Sequence, residues 1–471
     1  MSDRTGRIRE HFERLAPEVD RWRRRNSFYH ADQSRYLRYL IEPGRRVLML
    51  GSGTGDLLND LRPSAGLGID LSPALVSIAR GKHPHLRFEA ADAEHLETLE
   101  ETPFDYVVLS DLVGYLDDVQ ACLEGLRRFC HPGTRIVISY YNFLWQPVLR
   151  LGESLGLKTP TPEQSWLSLN DLANLLTLSD FQVVKTERRL LFPKYVPLLG
   201  WLLNHLGMLP GLNLFCLSQY AVARIGEPAV THAESVTVVI PCRNERGNVE
   251  PAIQRLPEFG SAQEILFVDG HSDDGTRQEI ERVIAANPGK NIRLLDQVGT
   301  GKGSAVRQGF AAATGDILII LDADLTVPPE DLPKFYRALA GNKAEFLNGC
   351  RLVYPLEDEA MRALNLLANK AFAWIFSWLL GQRLKDTLCG TKVLRRRDYE
   401  TLVRNRGYFG DFDPFGDFDL LFGASKLNLR ILEIPVRYRN RSYGETKIHR
   451  FRHGWLLLRM VVYAYRKLKS V

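Results

Sequence analysis

Two consecutive doubly wound α/β domains are what this sequence predicts, and three observations carry the expectation. The chain has 471 residues, whereas a single hydrophobic core rarely grows beyond about 250–300 residues. Two strand–glycine-loop–helix openings, near residues 47 and 236, each begin a run of apolar strands alternating with amphipathic helices; that alternation is the pattern of a mostly parallel sheet. Between them, Gly226-Glu227-Pro228 and Thr231–Ser235 form a polar stretch without periodicity. The expected domains are therefore 1–226 and 235–471, with a linker over 227–234. The halves share no motif, so the chain reads as a fusion and not a repeat.

In the first half, a buried strand (Val47–Leu50) runs into Gly51-x-Gly53-x-Gly55 and then an amphipathic helix. Such glycines let the chain turn tightly and let a ligand approach a helix N-terminus with no Cβ in the way. Asp70, nineteen residues after Gly51, ends a second strand, where an acid can accept hydrogen bonds from ribose hydroxyls. A dinucleotide site is the competing reading. Its third glycine would fall at residue 56, which is Asp56, and that charge would repel a pyrophosphate. A cationic ligand without phosphate fits better. A third strand, Leu86–Ala90, leads to Asp92. Phe104–Ser110 supplies a fourth strand, and the stretch from His131 to Asn142 a fifth.

Over about residues 30–225 this order of motifs resembles the class I S-adenosylmethionine-dependent methyltransferases, which have a Rossmann-like fold. The resemblance implies that Gly51, Gly53 and Gly55 cradle the amino-acid part of S-adenosylmethionine, that Asp70 holds its ribose and that Asp92 lies near its adenine. No side chain stands out as a base. Asp111 and Tyr115 are candidates by position only, and aligning the nucleophile with the sulfonium can suffice. The apolar insertion Lys194–Phe215 suggests a lid, a membrane-facing hairpin or a domain contact. A non-catalytic methyltransferase-like module is the alternative for this half. Arg21, Arg23, Arg24 and Arg25 raise a nucleic-acid-modifying reading, but a solvated helix face accounts for that run, and no nucleic-acid partner is expected.

The second half opens with a strand ending at Pro241, followed by polar residues and a helix. Its next strand leads into Asp269-Gly270, and a later one, Ile317–Leu321, ends in Asp322-Ala323-Asp324. Two carboxylates one residue apart at a strand end can share a divalent cation that bridges the phosphates of a nucleotide sugar. Gly299–Phe310 invites comparison with a phosphate-binding P-loop and fails it. Asp296 stands where the first glycine is needed, and Gly303 where Ser or Thr should follow Lys302. Lys302 and Arg307 are read instead as part of the helix at the donor site.

Segments around Pro241, Asp269, Lys302, Asp322, Arg351, Asp386 and Arg441, in that order, make residues 235–450 resemble glycosyltransferase family 2, and within it the polyprenyl-phosphate (dolichyl-phosphate) mannosyltransferases. The resemblance implies a GT-A fold, inversion at the anomeric carbon, and Mg²⁺ or Mn²⁺ on Asp322 and Asp324. Pro241, Glu245, Asp269 and Ala323 would line the nucleotide-sugar pocket, with Arg351 near the diphosphate. Arg441 and Lys447 would hold phosphate groups. The donor would be GDP-mannose or a UDP-hexose, and the acceptor a polyprenyl phosphate or other lipid. Arg243, Gly270 and Thr326 depart from that branch's usual residues. A phosphate acceptor has a second pKa of about 6 and attacks without a base; a hydroxyl acceptor would need a carboxylate, for which Asp417 or Asp419 is the candidate.

Six widely spaced cysteines, with no Cys-x-x-Cys pair, argue against a disulfide framework or zinc site. The N-terminus lacks the apolar segment of a secretory signal, and no apolar run reaches the roughly 20 residues that cross a bilayer. Residues 364–384 and 451–469 combine broad apolar faces with Lys and Arg, as helices lying in a membrane interface do. The net charge is only +5, yet the last 42 residues hold 11 basic and 2 acidic residues. The expectation is a cytoplasmic enzyme peripheral to the inner face of the cell membrane, joining glycosyl transfer to methyl transfer.

Overall fold

Near-continuous Val, Leu and Ile runs are the composition of strands covered on both faces, and the computed structural model places them at the centres of two separate sheets. It describes residues 3–97, 99–162, 164–226, 233–351, 363–408, 418–436, 443 and 450–470. The chain divides into two compact units, Met1–Glu227 with Ser470–Val471, and Pro228–Lys469.

The first unit is built on β1 (Arg46–Leu50), β2 (Ala65–Asp70), β3 (Arg87–Ala90), β4 (Phe104–Ser110), β5 (Cys130–Tyr141), β6 (Phe181–Arg189) and β7 (Ser218–Ile225). Their order in the sheet is β3-β2-β1-β4-β5-β7-β6. β1 to β5 are parallel, and β7 runs antiparallel to both its neighbours. The order reverses between β1 and β4, and ligands of open α/β sheets bind outside the strand C-termini at such a switch point. Helix starts follow local chemistry. Ser72 accepts from the Leu75 N–H and Pro73 opens the helix Pro73–Lys82, while Ser168 and Asp171 form a reciprocal cap on Leu169–Leu178. β6 is a strand the sequence reading did not single out. The apolar insertion lies between β6 and β7, as a helix Leu199–Gly207 and a 3₁₀ turn Leu212–Phe215.

The second unit holds β8 (Val236–Cys242), β9 (Gln263–Asp269), β10 (Asn291–Asp296), β11 (Ile317–Ile320), β12 (Phe346–Cys350), β13 (Lys392–Arg395) and β14 (Ile431–Pro435). The order is β10-β9-β8-β11-β13-β12-β14. β13 is antiparallel to both neighbours and the remaining pairings are parallel. The switch point lies between β8 and β11. Glu234, just before β8, and Arg395, at the end of β13, form an almost fully buried ion pair at 2.7 Å. The two amphipathic helices span Ala363–Leu380 and Arg450–Ala464. Each buries one face, through Phe376 and Leu379 in the first and Leu457 and Met460 in the second, while Trp374, Leu458 and Val462 stay exposed. No helix among the described residues is long and apolar enough to cross a membrane.

Candidate functional site

Each unit carries a candidate site at the C-terminal edge of its sheet. In the first, a cavity of 630 Å³ opens at the switch point. Its polar corner is made by Gly51 and Gly53 after β1, Asp70 at the end of β2 and Asp92 after β3, and Asp111 after β4 also lines the cavity. Gly53 has a φ of +54° and would meet nothing with an added Cβ, so its backbone faces open space. Gly55 (φ +81°) does not line the cavity. A Cβ there would lie 2.6 Å from Phe88, so this glycine lets the chain turn closely over β3. The Asp70 carboxylate accepts from the Gly53 and Ser72 N–H groups at 2.8 and 3.0 Å. Burial pushes its carboxyl up, against the pull of those two donors. Asp92 accepts from the Glu94 N–H at 3.0 Å.

One step of the sequence argument loses its force. Asp56 does not line the cavity and is held by Lys82 at 2.7 Å, His83 at 2.9 Å and Arg23 at 3.6 Å. Lys82 and Arg23 offset its charge, so it does not weigh against a phosphate-bearing ligand. Arg23, from the run of arginines, is thereby turned inward.

The sequence signal at Asp111 was position alone. Its Oδ2 accepts from the Tyr29 hydroxyl at 2.7 Å and from Gln33 Nε2 at 2.9 Å, while its Oδ1 is buried without a hydrogen-bond partner. Burial drives the carboxyl up to about 6 despite those two donors. Asp111 also has a φ of +53°, a strained backbone of the kind that collects at functional sites. Beside it in the wall are Tyr115 and His30; burial, aided by Arg23, lowers the imidazole to about 4, so it is neutral near pH 7.

In the second unit, three non-glycine residues of positive φ stand just beyond strand ends: Asn244 (+57°) after β8, His271 (+58°) after β9 and Leu325 (+53°) after β11. Pro241 sits in β8 beside Val268 of β9. Asp269, buried, accepts from the Ser272 hydroxyl and N–H. Asn244 bonds Asp273 through both its side-chain atoms. The Glu245 N–H donates to Thr276 Oγ1, and its carboxylate accepts from Asn248. Gly270, where an acid is commoner, has a packing reason: an added Cβ would lie 2.8 Å from Gln297 Oε1.

Asp322 and Asp324 follow β11 directly, with Ala323 packed into the core between them. Lys302, at the start of the helix Lys302–Ala312, pairs with Asp322 Oδ1 at 2.6 Å. Burial works to raise the Asp322 carboxyl, but Lys302 first, then Lys392 and Arg351, hold it below its ordinary value. A Cβ at Gly390 would overlap both the Asp322 carboxylate and the Lys302 ammonium, so only glycine lets that loop close over the pair. Asp324 Oδ1 accepts from the Thr326 hydroxyl and N–H at 2.8 and 3.1 Å. Arg351 is clamped in two-pronged fashion by buried Asp386, at 2.7 and 2.8 Å. Asp419 is paired with Arg406 at 3.2 Å. Arg441, Lys447 and Asp417 lie outside the described residues. Among the described residues no three His, Cys, Asp or Glu side chains gather as a metal-ligand cluster. Lys302 and Gly390 complete the site. Lys302 was legible as a helix start at the donor edge, whereas Gly390 carried no signal beyond its place near Asp386.

Known proteins resemble the two halves separately. The family model for glycosyl transferase family 2 matches residues 237–402, and that for a methyltransferase domain matches residues 20–186. The dolichyl-phosphate hexose transferase of Haloferax volcanii is 32% identical over 234 residues, 49% of this chain and 93% of that protein. The dolichol-phosphate mannosyltransferase of Pyrococcus furiosus is 30% identical over 241 residues, 50% of this chain and 64% of that protein. The yeast dolichol-phosphate mannosyltransferase is 37% identical over 109 residues, 22% of this chain and 40% of that protein. The chain thus spans less than two thirds of the Pyrococcus and yeast relatives.

Proposed function

The C-terminal half of this chain belongs to glycosyltransferase family 2 and its N-terminal half carries a methyltransferase domain; from that premise we propose a bifunctional enzyme. The C-terminal unit moves a hexose from a nucleotide sugar to a polyprenyl phosphate or a similar lipid, and the N-terminal unit methylates a second substrate with S-adenosylmethionine.

The observation that carries the glycosyl-transfer reading is the Asp322–Lys302 pair, ringed by Lys392 and Arg351. A carboxylate kept ionised beside several cations suits a site that handles a diphosphate. Asp322 and Asp324 are the oxygen donors Mg²⁺ or Mn²⁺ prefers, and such a cation, when bound, neutralises charge on the leaving diphosphate. Thr326 fixes the Asp324 carboxylate, and Asp386 fixes the Arg351 guanidinium. The acceptor phosphate oxygen attacks the anomeric carbon as the bond to the nucleotide diphosphate breaks, which inverts that centre. The phosphate is already largely dianionic near pH 7, so no base is required. Arg441 and Lys447 are assigned to place it. Incubating the full chain with Mn²⁺, GDP-mannose or UDP-glucose and a polyprenyl phosphate should give a glycolipid. Asp324→Ala should lose that product; unchanged turnover in the variant would sink the reading.

For the N-terminal unit, Gly51, Gly53, Asp70 and Asp92 meet in one cavity, a fit for an amino acid, a ribose and an adenine in turn. S-adenosylmethionine bound there would supply an electrophilic methyl group. Neutral His30 adds no charge against a sulfonium. Calorimetry with S-adenosylmethionine tests this: binding by the wild type and its loss in Asp70→Ala are expected. No binding would favour a non-catalytic module.

The exposed Trp374, Leu458 and Val462, together with the basic C-terminal segment, support a peripheral location on the cytoplasmic membrane face. Anionic lipid adds about 1 kcal/mol of attraction per exposed Lys or Arg near the surface.

A further inference from the structure

The cavity of the N-terminal unit extends well past the corner that the methyl donor would fill. Phe12, Trp22, Leu112, Trp145 and Leu149 are among the residues of its remaining wall, which makes the chamber more apolar than a donor needs. Its mouth is apolar as well. Val148, Leu151 and Leu155 line the cavity and are also 53, 59 and 62% exposed, so the chamber reaches the surface beside them. The lining also includes Phe192, Pro193 and Lys194. It continues directly into Tyr195, Leu198 and Trp201, which are 74, 85 and 63% exposed.

Water-facing apolar residues at this density, rimmed by a cavity, mark a binding surface. Its charge indicates what covers it. From Arg188 to Leu217 the chain has no Asp or Glu, and its partly exposed cations are Arg188 and Lys194, Arg189 being buried, which suits an anionic leaflet. Tyr and Trp are the side chains that settle at a lipid–water boundary. Deep in the chamber, Asp111 Oδ1 is a buried carboxylate oxygen with no hydrogen-bond partner. A buried acceptor left unsatisfied is unfavourable, and a ligand hydroxyl would relieve it.

We infer that the methyl acceptor is a membrane-resident amphiphile, drawn from an anionic lipid surface through the mouth between Val148–Leu155 and Phe192–Trp201, with its hydroxyl donating to Asp111 Oδ1. The inference rests on the methyltransferase reading above. The acceptor oxygen takes the methyl carbon while the donor sulfur keeps the pair of the broken C–S bond, and the hydroxyl proton passes to Asp111.

The test uses the full chain with farnesol as the hydroxyl-bearing amphiphile, presented in phosphatidylcholine vesicles with and without phosphatidylglycerol. Farnesol carried by the protein after vesicle removal is quantified by mass spectrometry, and S-adenosylmethionine binding is measured separately by calorimetry. The wild type should take up farnesol, more from phosphatidylglycerol vesicles. Asp111→Asn, which keeps the shape and the Tyr29 bond, should weaken farnesol binding by about tenfold or more while leaving S-adenosylmethionine binding intact. Val148→Trp, at the exposed mouth, and Leu198→Ser with Trp201→Ser should lower uptake with the donor site unaffected. Farnesol uptake that is absent although S-adenosylmethionine binds, or is equal in all variants, overturns the inference and leaves the methyltransferase reading standing. Asp111-dependent uptake without S-adenosylmethionine binding overturns the methyltransferase reading and supports the cavity as an amphiphile site.

Discussion

Replacing Asp111 by Asn should stabilise the N-terminal unit at neutral pH and leave it nearly unchanged in acid. The carboxyl is raised from 3.8 to about 6 by burial. Between these values the native state holds a proton that the unfolded chain has released, so stability falls as pH rises from about 4 to 6 and stays low above. A shift of this size corresponds to about 3 kcal/mol lost across the window. Asn cannot ionise but can still accept from the Tyr29 hydroxyl. The stability difference between Asp111→Asn and wild type should therefore widen by about that amount between pH 4 and pH 7.5. A probe confined to the first unit is needed, and Met49, fully buried in β1 beside β4, provides one. Its oxidation by hydrogen peroxide along a urea gradient, read by mass spectrometry, reports when that sheet opens, and a thioether does not titrate over this range. An unchanged difference at the two pH values, or one that widens towards acid, would refute the buried-anion argument.

Gly390→Ala forces a Cβ into the Asp322 carboxylate and the Lys302 ammonium; a stability cost of about 1–3 kcal/mol and loss of glycosyl transfer are expected, read by thermal unfolding and product formation. Lys302→Met removes the main cation that opposes burial at Asp322, so its carboxyl should rise and the acid limb of the glycosyl-transfer pH profile should move to higher pH. An unmoved limb would place Lys302 outside the site. Arg395→Met leaves Glu234 buried without its partner, and breaking such a pair costs about 3–5 kcal/mol; a clear fall in Tm of the second unit is expected, with partial rescue by Glu234→Gln in the double variant.

Much of both candidate sites was legible because strand-end motifs are local. Val47–Leu50 followed by spaced glycines, or Ile317–Leu321 followed by Asp322 and Asp324, states in consecutive residues that a strand stops and a polar loop begins. Asp70 and Asp92 were found the same way. The Asp56 argument shows where local reading fails. The acid was read as a charge that would repel a pyrophosphate, and that reading could not see that Lys82, His83 and Arg23 reach it from other elements.

The sequence by itself determined two α/β domains, their strand-end carboxylates and the apolar character of the insertion between β6 and β7, since these depend on spacing and residue type along one stretch of chain. Only the tertiary structure decided that Lys302 meets Asp322 beneath Gly390, that Asp386 holds Arg351, and that Asp111 hides one unpartnered oxygen in a chamber walled by residues from Thr5 to Leu217. Those pairings are set by sheet order, which brings loops distant in sequence to one edge, and burial at that edge then fixes which charges persist.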